Sequence, residues 1–178
     1  MTLAHVARRA SVAGVMFSAL LLVCASVASA DGAQRIQMRD DCDPKTFNAA
    51  IGPGACVGKG GTTFQEFIAR LTRDRKVGAW KFEPDKVDVK PATTLWVVND
   101  GGETHSFTCV TKFGGGIVPL LNELSGNTTP AVLCPNQDPH FLPAGHAINL
   151  TASTTPGTYD YQCLIHPWMR TVVTVKES

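Results

Sequence analysis

Gly157-Thr158-Tyr159-Asp160-Tyr161-Gln162-Cys163-Leu164-Ile165-His166-Pro167-Trp168-Met169, followed by Arg170 and then Thr171-Val172-Val173-Thr174-Val175, reads as strand, short loop, strand. The flanks, 158–163 and 171–175, are rich in Thr, Tyr and Val, which suit a pleated surface. Between them a thiol, an imidazole and a thioether recur at intervals of three. Upstream the rhythm continues in short β-type runs at 81–82, 86–89, 93–99, 106–111 and 147–152. Glu83-Pro84-Asp85, Asp100-Gly101-Gly102 and Thr155-Pro156-Gly157 supply turn signals between them. Many short strands with no helix of comparable length among them predict an all-β domain, an antiparallel sandwich or barrel.

Further out the pattern changes. Thr63 with Glu66 forms a capping box, and Phe64, Phe67, Ile68 and Leu71 recur at helical spacing, which predicts a short amphipathic helix over 63–75 whose apolar face needs a partner. Residues 31–61 carry Asp43-Pro44, Gly52-Pro53-Gly54 and Gly60-Gly61, and read as a loop-rich arm. Between about Lys112 and Pro143, three consecutive glycines and five prolines break the strand rhythm, marking a long insertion in which 117–124 has room for a turn or two of helix.

The chain has 178 residues, 16 Lys+Arg against 15 Asp+Glu, 44 % hydrophobic and 17 % charged residues, which excludes a highly charged disordered chain. Residues 1–30 read as an export signal: Arg8-Arg9, an apolar run from Val12 to Val27, and Ala28-Ser29-Ala30 as a cleavage site. A lipid anchor at Cys24 is not expected, because the larger Val23 precedes it. Cleavage leaves 148 residues with 14 basic and 15 acidic groups, and no further apolar stretch of spanning length. No nucleic-acid footprint and no membrane anchor are expected, and the product is expected in the periplasm or secreted, as a monomer. Three units follow: signal peptide 1–30, an N-terminal arm with a short helix 31–79, and a β-domain 80–178 carrying the insertion 112–143.

Five cysteines remain after cleavage, an odd number. Cys42 with Cys56 and Cys109 with Cys134 each bracket a loop-like segment, so those pairings are expected in an oxidising compartment, leaving Cys163 as a thiol or ligand. Spacing alone leaves other connectivities open.

Soft sulfur with imidazole suits copper, and two histidines, a cysteine and a weak axial methionine are the donor set of a blue-copper electron-transfer site. Cys163, His166 and Met169 supply three of the four. His105, just after the turn at 100–102, is the natural fourth. A Cys-x-x-His pair is also a common zinc fragment, but no second Cys-x-x-Cys completes a zinc set. His140 and His146 read as surface residues, Glu103 as a solvated carboxylate, and Trp168 as packing.

Residues from about Trp80 to Glu177 resemble the cupredoxin family. The resemblance is carried by Phe82-Glu83-Pro84, Leu95-Trp96-Val97-Val98-Asn99, Thr104-His105-Ser106-Phe107 and Pro156-Gly157-Thr158-Tyr159-Asp160-Tyr161, and the Cys163-x-x-His166-x-x-Met169 loop is most like that of amicyanin and plastocyanin-type proteins. The resemblance implies a Greek-key β-sandwich with one type 1 copper held by His105, Cys163, His166 and Met169. Leu164 departs from the pattern, since related short-loop members commonly place a Thr or Ser there to brace the loop of the first histidine.

The expected function is therefore an exported blue-copper protein that carries single electrons between redox partner proteins and is not an enzyme. His166 is the expected electron port, within an apolar docking patch. Two alternatives stand beside it: a copper-handling protein with an extra labile site at His140 and His146, and a copper enzyme with an open coordination position.

Overall fold

A computed structural model describes residues 32–177. The expected export signal, residues 1–30, lies outside the described residues. Among the described residues, ten strands form two sheets that enclose one core, joined by three short helices. The first sheet has the order β2 (Lys81–Glu83), β1 (Gln34–Arg39), β4 (Thr94–Asn99), β8 (Ala147–Thr151). The second runs β3 (Lys86–Val89), β10 (Arg170–Val175), β9 (Gly157–Gln162), β5 (His105–Lys112), β6 (Val132–Leu133), with β7 (His140–Leu142) pairing on β5. Ile36, Met38, Phe82, Leu95 and Val97 of one sheet meet Phe107, Tyr161, Val173 and Val175 of the other in a single buried cluster. The Phe82 and Phe107 rings, 5.6 Å apart, bridge the layers. The all-β sandwich expected is met as a mostly-β, two-sheet architecture, and the seven expected strands lie within a residue or two of their expected positions, but β3 pairs with β10 in parallel where antiparallel sheets were expected.

The segment read as a loop-rich arm contains more structure than its glycines and prolines announce. β1 lies inside the first sheet, antiparallel to β2 and parallel to β4, with Ile36 opposite Val97 and Met38 opposite Asn99. Its signal was only two alternating apolar residues, Ile36 and Met38, between polar ones. Asp43-Pro44, read as punctuation, is a helix start. The Asp43 carboxylate accepts the Thr46 N–H, and Pro44 occupies the first turn of α1 (Pro44–Ala50), where a missing N–H costs nothing. The capping box works as expected for α2 (Phe64–Asp74), with Thr63 and Glu66 bonding reciprocally.

Within the insertion, α3 (Pro119–Ser125) starts two residues later than the expected stretch and ends at Gly126, which takes the left-handed cap conformation at φ 74°. Both expected disulfides form, Cys42–Cys56 and Cys109–Cys134. The second pins the insertion to β5, and Cys134 N–H also donates to the Cys109 carbonyl. Such links typically contribute about 2–4 kcal/mol each. The insertion is fastened to the loop after β9 as well, since Ile117 N–H donates to Leu164 C=O at 2.7 Å. Gly116 packs so close to that carbonyl that a Cβ there would collide with it. Among the described residues no helix is long and apolar enough to cross a membrane.

Candidate metal centre

The second sheet brings the far-separated donors to one end of the core. His105 is the first residue of β5, and Cys163 follows directly after β9, where the neighbouring strand pairs Thr108 with Gln162. The chain then turns through 163–169 and returns as β10. That turn is held by Cys163 N–H to Met169 C=O at 3.0 Å and Met169 N–H to His166 C=O at 2.9 Å. Donor atoms of His105, Cys163 and His166 lie within 4.8 Å of one another, and all three residues are buried. Met169 is fully buried at the end of the same turn.

The sulfur is electrostatically prepared. Ser106 N–H and His166 N–H point at Cys163 Sγ from 3.3 and 3.4 Å, and His166 Nδ1 lies 3.9 Å away. Burial pushes the Cys163 thiol up, but the neighbouring His105 and His166 rings outweigh it and hold it well below the usual thiol range. A thiolate among imidazoles and amide N–H groups is a soft-metal donor rather than an inert core thiol. Leu164 does not leave the loop unbraced. Its own N–H donates to Ser106 Oγ at 2.7 Å, and Ser106 Oγ meets Thr108 Oγ1 at 3.0 Å, so the hydroxyl sits on the His105 side and the main chain answers it.

The two histidines have different surroundings. His105 Nε2 is 2.8 Å from Asp40 Oδ2, while His105 Nδ1 is buried with no hydrogen-bond partner. A buried, unpartnered ring nitrogen beside a thiolate offers a metal its lone pair once its proton leaves, and the donor set fits a copper ion. Burial pushes the His105 imidazolium down, yet the bond to Asp40 and the nearby Cys163 sulfur prevail and raise it to about 9. Asp40 feels the opposite balance. Burial pushes it up, but His105 and the N–H groups of Glu103 and Gly102 hold it at about 2.

His166, expected at the surface as an electron port, is 1 % exposed. The apolar face of α2 found its partner here: Phe67 lies 6.2 Å from the His166 ring, with Trp80 at 6.5 Å and Trp168 at 5.4 Å. Glu103, expected to be solvated, is also buried. Its Oε2 accepts Trp80 Nε1–H at 2.6 Å and comes within 3.6 Å of His166 Nε2. Burial raises its carboxyl, partly offset by the His166 charge and the Trp80 bond. An open groove of about 360 Å³, lined by Phe64, Phe67, Leu121 and Ile165, ends on Glu103 and His166. A groove between α1, α2 and α3 thus reaches His166, whose imidazole is not exposed.

His140 and His146 are exposed, on β7 and the turn after it, and belong to no metal-ligating group with the buried three. Asp40 escaped the sequence reading altogether. It is 65 positions from His105, and no local periodicity marks it. The position of α2 could have been suspected from its apolar face, but not its target.

No family model matches the chain, and no curated protein matches it in sequence. Solved structures similar to this chain include cupredoxins and a copper-containing nitrite reductase. A purple cupredoxin from Nitrosopumilus maritimus shares 17 % identity over 80 % of this chain and 99 % of its own, with a TM-score of 0.45. A variant of amicyanin in its reduced Cu(I) form at pH 4 shares 26 % over 57 % of this chain and 77 % of its own, with a TM-score of 0.37. The copper-containing nitrite reductase of Thermus scotoductus SA-01 shares 21 % over 55 % of this chain but 20 % of its own, also at 0.37. The functional reading rests on the residues of the site and not on these likenesses.

Proposed function

We propose that this chain is an exported cupredoxin that binds one type 1 copper through His105, Cys163, His166 and Met169 and carries single electrons between redox partners. The observation that carries the proposal is the buried His105–Cys163–His166 group, whose donor atoms lie within 4.8 Å of one another beside an unpartnered His105 Nδ1. When bound, copper would supply the exchange between Cu(II) and Cu(I). Everything else is the work of the chain. Cys163 would supply a strong thiolate donor, His105 and His166 neutral imidazole donors, and Met169 a weak thioether donor that tunes the potential.

The Ser106 and His166 N–H groups draw charge from the sulfur and so favour the less charged Cu(I) state. The two sheets, the Leu164–Ser106 bond and the Cys163–Met169 main-chain bond keep the donors in one arrangement for both states. Low rearrangement is what fast electron exchange needs. Electrons enter and leave by the His166 edge, at the end of the groove.

Titration of the folded protein with copper tests this directly. One equivalent should bind tightly and give an intense visible thiolate-to-copper band with narrow hyperfine splitting in electron paramagnetic resonance. Cys163→Ser should lose the band. An intense band surviving in the serine variant, or two or more labile coppers in the wild type, rejects the reading. The enzyme alternative is favoured by one observation, the groove that reaches His166. Wide hyperfine splitting, the sign of an open tetragonal Cu(II) site, would decide for it.

A further inference from the structure

Asp40 sits at the end of β1, far along the chain from every proposed ligand, yet its side chain is only 1 % exposed. Both of its oxygens are occupied by N–H donors. Oδ2 meets His105 Nε2 at 2.8 Å, Glu103 N–H at 3.0 Å and Gly102 N–H at 2.9 Å, while Oδ1 accepts from Gly102 N–H at 3.0 Å and Cys42 N–H at 3.2 Å. None of these donors is a lysine or arginine. A buried carboxylate without such a counter-ion is costly unless another positive centre compensates it. The nearest group able to do so is His105.

An ionised carboxylate only accepts, so Nε2 carries a proton in either charge state of the ring, and Nδ1 is the atom that presents a lone pair once His105 is neutral. Nδ1 is the ring atom left buried and unpartnered.

The carboxylate is itself rigidly placed. β1 is registered against β4, with Met38 opposite Asn99, and Asp100 N–H donates to Met38 C=O. Beyond it, Cys42 is tied to Cys56, and Gly102 packs so tightly on this disulfide that a Cβ there would lie 2.6 Å from Cys42 Sγ. Strand, disulfide and carboxylate together grip the turn that leads into His105.

We infer that Asp40 is a positioning residue of the centre: from the N-terminal segment it fixes the tautomer and ring orientation of His105 and places a negative charge next to the metal site. This rests on the copper reading above. The segment before residue 80 is on this inference part of the redox centre, and its charge lowers the reduction potential by favouring Cu(II).

The test compares the full chain with Asp40→Asn and Asp40→Ala, using copper affinity by chelator competition in both oxidation states and the reduction potential by voltammetry. Loss of such an outer partner typically costs about 10–100-fold in metal affinity. Asp40→Ala should show that loss, greater for Cu(II) than for Cu(I), with a raised potential. Asp40→Asn retains an oxygen acceptor for His105 Nε2–H and should recover part of the affinity, but its potential should stay raised because the charge is gone. If the alanine variant does not fold, the asparagine variant decides alone. An unchanged potential and an unchanged ratio of Cu(II) to Cu(I) affinity in Asp40→Asn would overturn the inference, leaving Asp40 as a cap for the 102–104 turn. Failure of the copper reading has a different signature: the wild type itself would bind no copper, or would bind it equally well without Cys163.

Discussion

His105 and His166 face the same sulfur and are equally buried, but they are held by different physics. His105 is oriented by a charged acceptor, through one directional bond of 2.8 Å. His166 is wedged among the rings of Phe67, Trp80 and Trp168, with its nearest carboxylate 3.6 Å from Nε2. A hydrogen bond to a charge fixes angle and tautomer, whereas an aromatic cage fixes position and excludes water. One side of the centre is thereby set electrostatically and closed off. The other is set by packing and looks onto a groove.

Removing each imidazole in turn should break the symmetry most strongly. His105→Gly and His166→Gly should each lose more copper affinity than the roughly 10–100-fold expected for an outer partner. Imidazole added to solution should restore the visible band in His166→Gly, because the groove leads to that position, and not in His105→Gly, where the residue is wholly enclosed. Equal rescue of both would show that the closed side is not closed.

Packing on the His166 side can be weakened without touching a donor. Phe67 is 2 % exposed and contacts Phe47, Trp80 and Trp168. Phe67→Ala should destabilise the fold by about 3–5 kcal/mol, read by denaturant unfolding. It should also widen the groove and speed the reaction of reduced protein with small oxidants.

The His105 side should reveal itself through pH. In the metal-free protein the folded value of His105 is raised to about 9 from 6.5, so its contribution to stability is complete below 6.5 and is lost as pH rises through 9. Asp40 is depressed to about 2 from 3.8, so its contribution is present above 3.8 and is lost as pH falls towards 2. A metal must displace the His105 proton, and copper uptake at neutral pH should therefore release protons. Calorimetry in buffers of different ionisation enthalpy measures the number, and copper uptake without proton release at pH 7 would contradict the assignment.

The smallest effect is expected at Glu103. Glu103→Gln retains an oxygen for the Trp80 N–H and removes a carboxyl that burial already drives towards neutrality. Stability should change by about 1 kcal/mol or less. The potential should move upward by less than in Asp40→Asn, since 3.6 Å to His166 is a looser approach than 2.8 Å to His105.

What could be read from the chain follows the range of the forces involved. Spacing of three in Cys163-Leu164-Ile165-His166-Pro167-Trp168-Met169 places donors on one short turn whatever surrounds it, and strands at 94–99 and 170–175 announce themselves by their β-branched content. The box at Thr63 and Glu66 is a local contract between neighbours, and it formed as written. β1 was illegible because six residues with two apolar members are stabilised by β2 and β4 and not by their own pattern. Glu103 looked solvated because nothing nearby in sequence reveals that Trp80 will cover it.

The amino-acid order alone therefore determined which donors exist, the turn that carries Cys163, His166 and Met169, and the β character of the domain, because these depend on residue type and on neighbours a few positions apart. Only the tertiary structure decided that Asp40 would meet His105 across 65 positions, that Phe67 would pack on His166, and that a groove would reach that ring. Those outcomes depend on which surfaces meet when two sheets and three helices close around a common core, and side-chain periodicity carries no record of that meeting.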